Sequence, residues 1–287
     1  MISILQAIIL GLIQGLTELF PISSLGHSVI IPKLLSWNID QNSSNFLTFL
    51  VATHLATAIV LFIFFWDEWV KIIKAIFRSL RARYIASDDA YAKLGWLLVV
   101  GTIPAGVIGL LFQDSLRKFF ASAQYAAGFL IINGLVLMLA ERLRKNNTRG
   151  QAAAAASTKS IAKLRWSRAV YIGTAQAAAL FPGISRSGSS MAGGLLTGLN
   201  NEDAARFSFL LATPIIGAAA LLKLPDLFTA SAASLRGAAI AGAIAAAIAA
   251  YLSVRFLIKY FQTNTLKPFA LYCLAAGIIA SLYFALT

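Results

Sequence analysis

A chain of 287 residues that is 59% hydrophobic and only 12% charged is not an ordinary soluble domain, in which about a quarter of residues carry charge. The mean hydropathy of +0.78 points to a membrane protein instead. The formal net charge of +13 would suggest nucleic acid on a soluble protein, but no basic groove interleaved with aromatics accompanies it. The positive-inside bias of membrane proteins accounts for it better.

Met1–Leu19 is apolar but lacks the basic flank and small-residue cleavage site of a signal peptide, so it reads as part of the mature fold. A Pro/Gly/Ser-containing break, Phe20–Ser28, separates it from the short apolar piece Val29–Leu35. Phe46–Trp66 is a clear span, and Leu94–Phe112 and Tyr125–Ala140 follow. Between the first two, Lys71–Arg83 reads as an amphipathic surface segment on anionic lipid, and Trp66, Trp69 and Trp96 as interfacial anchors. Asp67, Glu68, Asp88 and Asp89 are expected in water. Asn146–Lys163, with its Ala152–Ala156 run, reads as a mobile connection. Val170–Leu180 and Met191–Leu199 then flank a second break, Phe181–Ser190, before spans at Phe207–Leu222, Ala238–Leu257 and Phe269–Leu286. The lone Cys273 lies in an apolar stretch, as a buried structural thiol would.

The two halves resemble each other. Leu-Phe-Pro occurs at 19–21 and at 180–182, each followed by two serines and a glycine, and Gln14 to Gly26 spans the same distance as Gln176 to Gly188. Phe49-Leu-Val-Ala-Thr-His54 likewise matches Phe209-Leu-Leu-Ala-Thr-Pro214. Two matched features at nearly one offset argue for an internal repeat. Each half holds one broken helix pair and three spans, and three is odd, so the second half enters the membrane from the opposite side. Most lysines and arginines fall in 67–93, 141–168, 200–206 and 255–267, whereas Lys33, Arg117, Lys118, Lys223 and Arg236 fall on the other side. That bias puts the first set in the cytoplasm. The expectation is an all-α polytopic membrane protein with an inverted-topology repeat, six transmembrane helices and two re-entrant hairpins. It forms one domain over 1–287, with repeats over 1–141 and 169–287 joined by a cytoplasmic linker, 142–168.

The breaks carry the chemistry. Glu18 closes a long apolar run, where a carboxylate costs ~2.5 kcal/mol or more, and Gln14 sits one turn earlier on the same face. Ser23, Ser24 and His27 offer two hydroxyls and an imidazole, suited to nucleophile, acid or base; either serine could instead cap the next helix. Gly26 lets backbone approach a ligand. In the second break Arg186 stands among Ser185, Ser187, Gly188 and Ser189, between apolar segments. Its planar fork suits phosphate, and the N-terminus of the following helix favours an anion. An ion pair with Glu18 that only holds the halves together is the other reading, and both can hold. His54, on a span, reads as a packed or supporting residue.

Gln14-Gly-Leu-Thr-Glu-Leu-Phe-Pro-Ile-Ser-Ser-Leu-Gly-His27 resembles the first signature of the undecaprenyl-diphosphate phosphatase family of the bacitracin-resistance type, and Pro182-Gly-Ile-Ser-Arg-Ser-Gly188 resembles its second. The resemblance covers essentially the whole chain. It implies conversion of undecaprenyl diphosphate to the monophosphate and inorganic phosphate, recycling the cell-wall lipid carrier. It also implies a bacterial inner-membrane protein whose site opens to the outer face, with Glu18, Ser24, His27 and Arg186 on functional positions. Gln14 stands where many members have Glu, and Leu25 where many have Thr. A Mg²⁺ or Ca²⁺ ion held by Glu18, hydroxyls and the diphosphate is the cofactor expectation. Membrane lipids and a polyprenyl diphosphate are the expected partners, nucleic acid is not, and a homodimer is left open. The alternative class is a transporter or prenyl-phosphate flippase built on the same inverted-repeat cavity.

Overall fold

The computed structural model describes residues 2–120, 122–147 and 158–287, and among these the regular structure is all helical. The Ala152–Ala156 run of the expected connection lies outside the described residues. In chain order the helices are α1 (Ile4–Leu19), α2 (Ser24–Leu34), α3 (Ser44–Phe64), α4 (Trp66–Ala82), α5 (Ala90–Phe120) and α6 (Ala123–Asn147). They continue with α7 (Thr158–Ala162), α8 (Trp166–Ala177), α9 (Arg186–Leu196), α10 (Asn201–Lys223), α11 (Arg236–Tyr260) and α12 (Lys267–Leu286). Six are long and apolar enough to cross a membrane: α3, α5, α6, α10, α11 and α12. Five of them contain one of the spans expected from sequence, and α3 covers Phe46–Trp66 except for its last two residues. The 21 residues of α3 rise ~31 Å, the thickness of a hydrocarbon core.

The other apolar pieces form two interrupted pairs. Phe20 is extended (φ −64°, ψ 139°) ahead of Pro21, because a residue before proline is pushed away from the helical region. The chain restarts as α2 under Ser23, whose hydroxyl accepts from Gly26 N–H at 3.2 Å. In the second pair a 3₁₀ turn, Ala178–Leu180, prolongs α8, and α9 restarts under Ser185, whose hydroxyl accepts from Gly188 N–H at 3.1 Å. α2 and α9 have 11 residues each, about 16 Å, half the length a crossing needs.

Packing places both pairs against spans distant in sequence. α1 lies along α11, α8 along α5, and α6 along α12. The first two crossings are glycine to glycine. A Cβ on Gly11 would collide with the Gly242 carbonyl, and one on Gly173 with the Gly101 carbonyl. Small residues of this kind let membrane helices approach to backbone contact. Gly11→Leu is therefore expected to lower the thermal midpoint in detergent by several degrees, since a backbone obstacle cannot yield and overpacking costs about 1–3 kcal/mol. Ile8→Ala, on the exposed side of the same helix, should leave the midpoint nearly unchanged. An equal midpoint for both variants would contradict this packing. The opposite stripe of α11 (Ile240, Ile244, Ile248, Leu252) is exposed, as a lipid-facing surface would be.

α4 is amphipathic as expected, with Ile72 and Ala75 inward and Lys71, Lys74 and Arg78 outward. Three expectations nearby are corrected. Glu68 is buried rather than solvated, because Arg206 of α10 reaches it at 2.9 Å and Thr158 donates to it at 3.1 Å. Asp89 is held by Arg78 through contacts of 3.0 and 2.5 Å. Trp69 packs into the core instead of serving as an anchor.

Candidate active site

The two breaks touch. Gly183 N–H donates to Ser23 Oγ at 3.2 Å, and Ser187 Oγ donates to the Phe20 carbonyl at 3.2 Å. A Cβ on Gly26 would sit 2.9 Å from Gly183 Cα. Gly183 itself has φ +104° and the Ala126 carbonyl where a side chain would go, so only glycine serves there. Ser23 also lies at positive φ, 72°. A non-glycine residue held in that region stores strain, a feature that clusters at functional sites.

Beside this crossing a buried polar cluster forms around Glu18. Its Oε1 accepts from Arg186 Nε at 3.0 Å. Its Oε2 accepts from Gln14 Nε2 at 3.1 Å and from Ser24 Oγ at 2.5 Å. His54 Nε2 stands 3.3 Å from the same oxygen. His54 Nδ1 lies 2.7 Å from the Leu50 carbonyl and so carries a hydrogen, which fixes the ring with Nε2 toward Glu18. Arg186 spends Nη1 on the Ser208 carbonyl at 3.3 Å. Its Nη2 is buried with no hydrogen-bond partner, as is Gln14 Oε1. An unpaired guanidinium nitrogen inside an apolar protein is costly and points to an anion as its partner.

Of the residues singled out in sequence, Gln14, Glu18, Ser24 and Arg186 come together here. Ser23, Gly26, Ser185, Ser187 and Gly188 build the crossing, with Ser185 Oγ and Ser187 Oγ 3.0 Å apart. Ser189 is buried in the first turn of α9, its N–H bonded to the Ser185 carbonyl at 2.8 Å. His27 points elsewhere: Nδ1 lies 2.6 Å from the Ser23 carbonyl, and Nε2 lies 2.7 Å from Tyr272 Oη. The imidazole on Glu18 is His54, which sequence reasoning had treated as a supporting residue. Asn133 of α6, not singled out at all, hydrogen-bonds to both breaks. His54 is the one titratable residue of 46–64 and Asn133 the one carboxamide of 125–140, and that isolation was the available signal.

A resident divalent cation finds little to hold it. Among the described residues no group of three or more His, Cys, Asp and Glu side chains gathers. Glu18 is a lone carboxylate with both oxygens engaged, one of them by a guanidinium. Hard cations take several oxygen ligands at once, and this donor set does not supply them. A cation arriving on a diphosphate would be part of the substrate.

Comparison with known proteins adds to this geometry. The family model described as bacitracin resistance protein BacA matches residues 7–279. The chain is similar to the undecaprenyl-diphosphatase of Mycolicibacterium paratuberculosis, at 45% identity over 99% of this chain and 98% of the relative. It is also similar to undecaprenyl-diphosphatase 2 of Frankia alni, at 42% identity over 98% of each chain. Undecaprenyl-diphosphatase 2 of Burkholderia thailandensis is 43% identical over 94% of this chain and 93% of the relative.

Proposed function

The chain belongs to the bacitracin resistance protein BacA family, and from that membership we propose that its Glu18–Arg186 site performs the reaction. The protein is an undecaprenyl-diphosphatase, a hydrolase that converts undecaprenyl diphosphate to undecaprenyl phosphate and inorganic phosphate. It is a multi-pass membrane protein. The observation that carries the site assignment is the buried, unpartnered Nη2 of Arg186 beside a serine hydroxyl on a carboxylate.

The terminal phosphoryl group lies on Arg186 Nη2 and the first N–H groups of α9, where the helix end favours negative charge. Ser24 Oγ attacks phosphorus. The Oγ–P bond forms as the bridging P–O bond breaks, undecaprenyl phosphate leaves, and the serine proton passes to Glu18 Oε2. Water then cleaves the phosphoserine, releasing inorganic phosphate and restoring the hydroxyl. Glu18 returns the proton to Ser24 Oγ and the proton of the water leaves with inorganic phosphate, while His27, held between the Ser23 carbonyl and Tyr272 Oη, fixes the start of α2. Gln14 and His54 hold the Glu18 carboxylate in place.

The interrupted helix pairs are read as re-entrant hairpins of an inverted repeat, over 1–141 and 169–287. The equal lengths of α2 and α9, their serine caps and the matched Gly11–Gly242 and Gly173–Gly101 crossings support this. The lysine and arginine bias supports a site that opens to the outer face.

Purified protein in detergent, given undecaprenyl diphosphate, is expected to release inorganic phosphate in proportion to substrate consumed. A lipid transporter would release none. Ser24→Ala is expected to cut kcat by ~10²-fold or more, since covalent attack is lost. Near-normal release by this variant would assign the attack to a water held by Glu18.

A further inference from the structure

Asn133 projects from α6 into the crossing of the two breaks and is 1% exposed. Its carboxamide is fully used. Nδ2 donates to the Pro21 carbonyl at 3.0 Å and to Cys273 Sγ at 3.2 Å, and Oδ1 accepts from Ser185 N–H at 3.0 Å. Pro21 sits midway between Glu18 and Ser24 in the first break, and Ser185 is the residue before Arg186 in the second. One planar amide therefore spans the backbones that carry the acid, the nucleophile and the cation. Pro21 lies in the break between α1 and α2, where its carbonyl has no backbone partner among the described residues, and the N–H at a helix start has none within its own helix. A Cβ on Gly188 would come within 3.3 Å of Oδ1, so the first turn of α9 rests on the same group.

We infer that Asn133 is a positioning residue for the diphosphatase reaction: acting through the Pro21 carbonyl and the Ser185 N–H, it fixes Arg186 relative to Glu18 and Ser24 without touching the substrate. The inference rests on the site assignment made under the proposed function. Few side chains can substitute for it. Aspartate keeps an acceptor for Ser185 but turns a second acceptor toward the Pro21 carbonyl. Leucine fills a similar volume and makes neither bond. Glutamine has the chemistry and is one methylene too long.

The test is steady-state phosphate release by Asn133→Asp and Asn133→Leu, alone and in an Arg186→Lys background, on protein shown to be monodisperse. The expected result is a kcat lowered 10- to 100-fold by either substitution, with KM changed less than threefold, because a small misplacement of a catalytic group acts on the transition state. In the Arg186→Lys background Asn133→Leu should cost less than threefold further, since the group it positions is already compromised. Unchanged kcat in both single variants overturns the inference. So does a loss of the same size in the Arg186→Lys background, which would mean that Asn133 does not act through Arg186. If Asn133→Leu does not fold, Asn133→Asp decides on the same kcat criterion. Failure of the underlying site assignment is recognised separately, by Arg186→Ala retaining activity in otherwise unaltered protein.

Discussion

Arg186→Ala is expected to lower phosphate release from undecaprenyl diphosphate by ~10³-fold or more, in line with the ~10³–10⁵-fold that a transition-state arginine supplies in other phosphoryl transfers. The guanidinium does two things that alanine cannot. Nε neutralises the Glu18 carboxylate at 3.0 Å, and the unpartnered Nη2 is free for a phosphate oxygen. Arg186→Lys keeps the charge and loses the fork, so it should fall between the two, closer to alanine. Stability has to be followed alongside. Removing one partner of a buried ion pair costs about 3–5 kcal/mol when the other is left uncompensated, and here His54 still faces Glu18, so the lower end is expected. The decisive measurement is kcat on detergent-purified protein with its thermal midpoint recorded. Folded Arg186→Ala with near-normal turnover would remove Arg186 from the chemistry.

Glu18→Gln is the second large effect. Glutamine has nearly the same shape and its amide oxygen can still accept from Ser24, so packing around α1 is largely preserved. It cannot take the serine proton. A general base contributes ~10²–10⁴ in rate, and kcat should fall by that factor with little change in KM. The comparison with Ser24→Ala is informative. Loss in both fits a serine nucleophile activated by Glu18, whereas loss in Glu18→Gln with activity in Ser24→Ala fits a water activated by the same carboxylate. If Glu18→Gln turns over normally, no base role for Glu18 survives.

The fold was readable because lipid imposes strict rules. A run of about 20 apolar residues has few alternatives to a crossing, and all six expected spans coincide with long apolar helices. Glu18 and Arg186 stood out for the complementary reason, as charges set into apolar sequence beside proline and glycine. Their contact was one of two readings, and the structure contains it. What sequence did not reveal depends on partners far along the chain. His54 meets Glu18 across helices. Asn133 joins residues 112 and 52 positions away. His27 finds Tyr272 at a separation of 245. Glu68 looked solvated because its own neighbours are charged, and its burial is explained by the distant Arg206 and Thr158. Local pattern reports where a polar residue sits, and not which distant group satisfies it.

The packing of α1 also sets the timing of biogenesis. α1 lies against α11, which follows far later in the chain, and Glu18 meets its guanidinium only 168 residues later. At ~5–20 residues per second, roughly 8–34 s pass in which a nascent chain holds that carboxyl with no arginine to receive it. Until then α1 carries a carboxylate whose place in a bilayer costs ~2.5 kcal/mol or more. A chain cut short before α9 keeps Glu18 without the guanidinium that neutralises it in the folded protein.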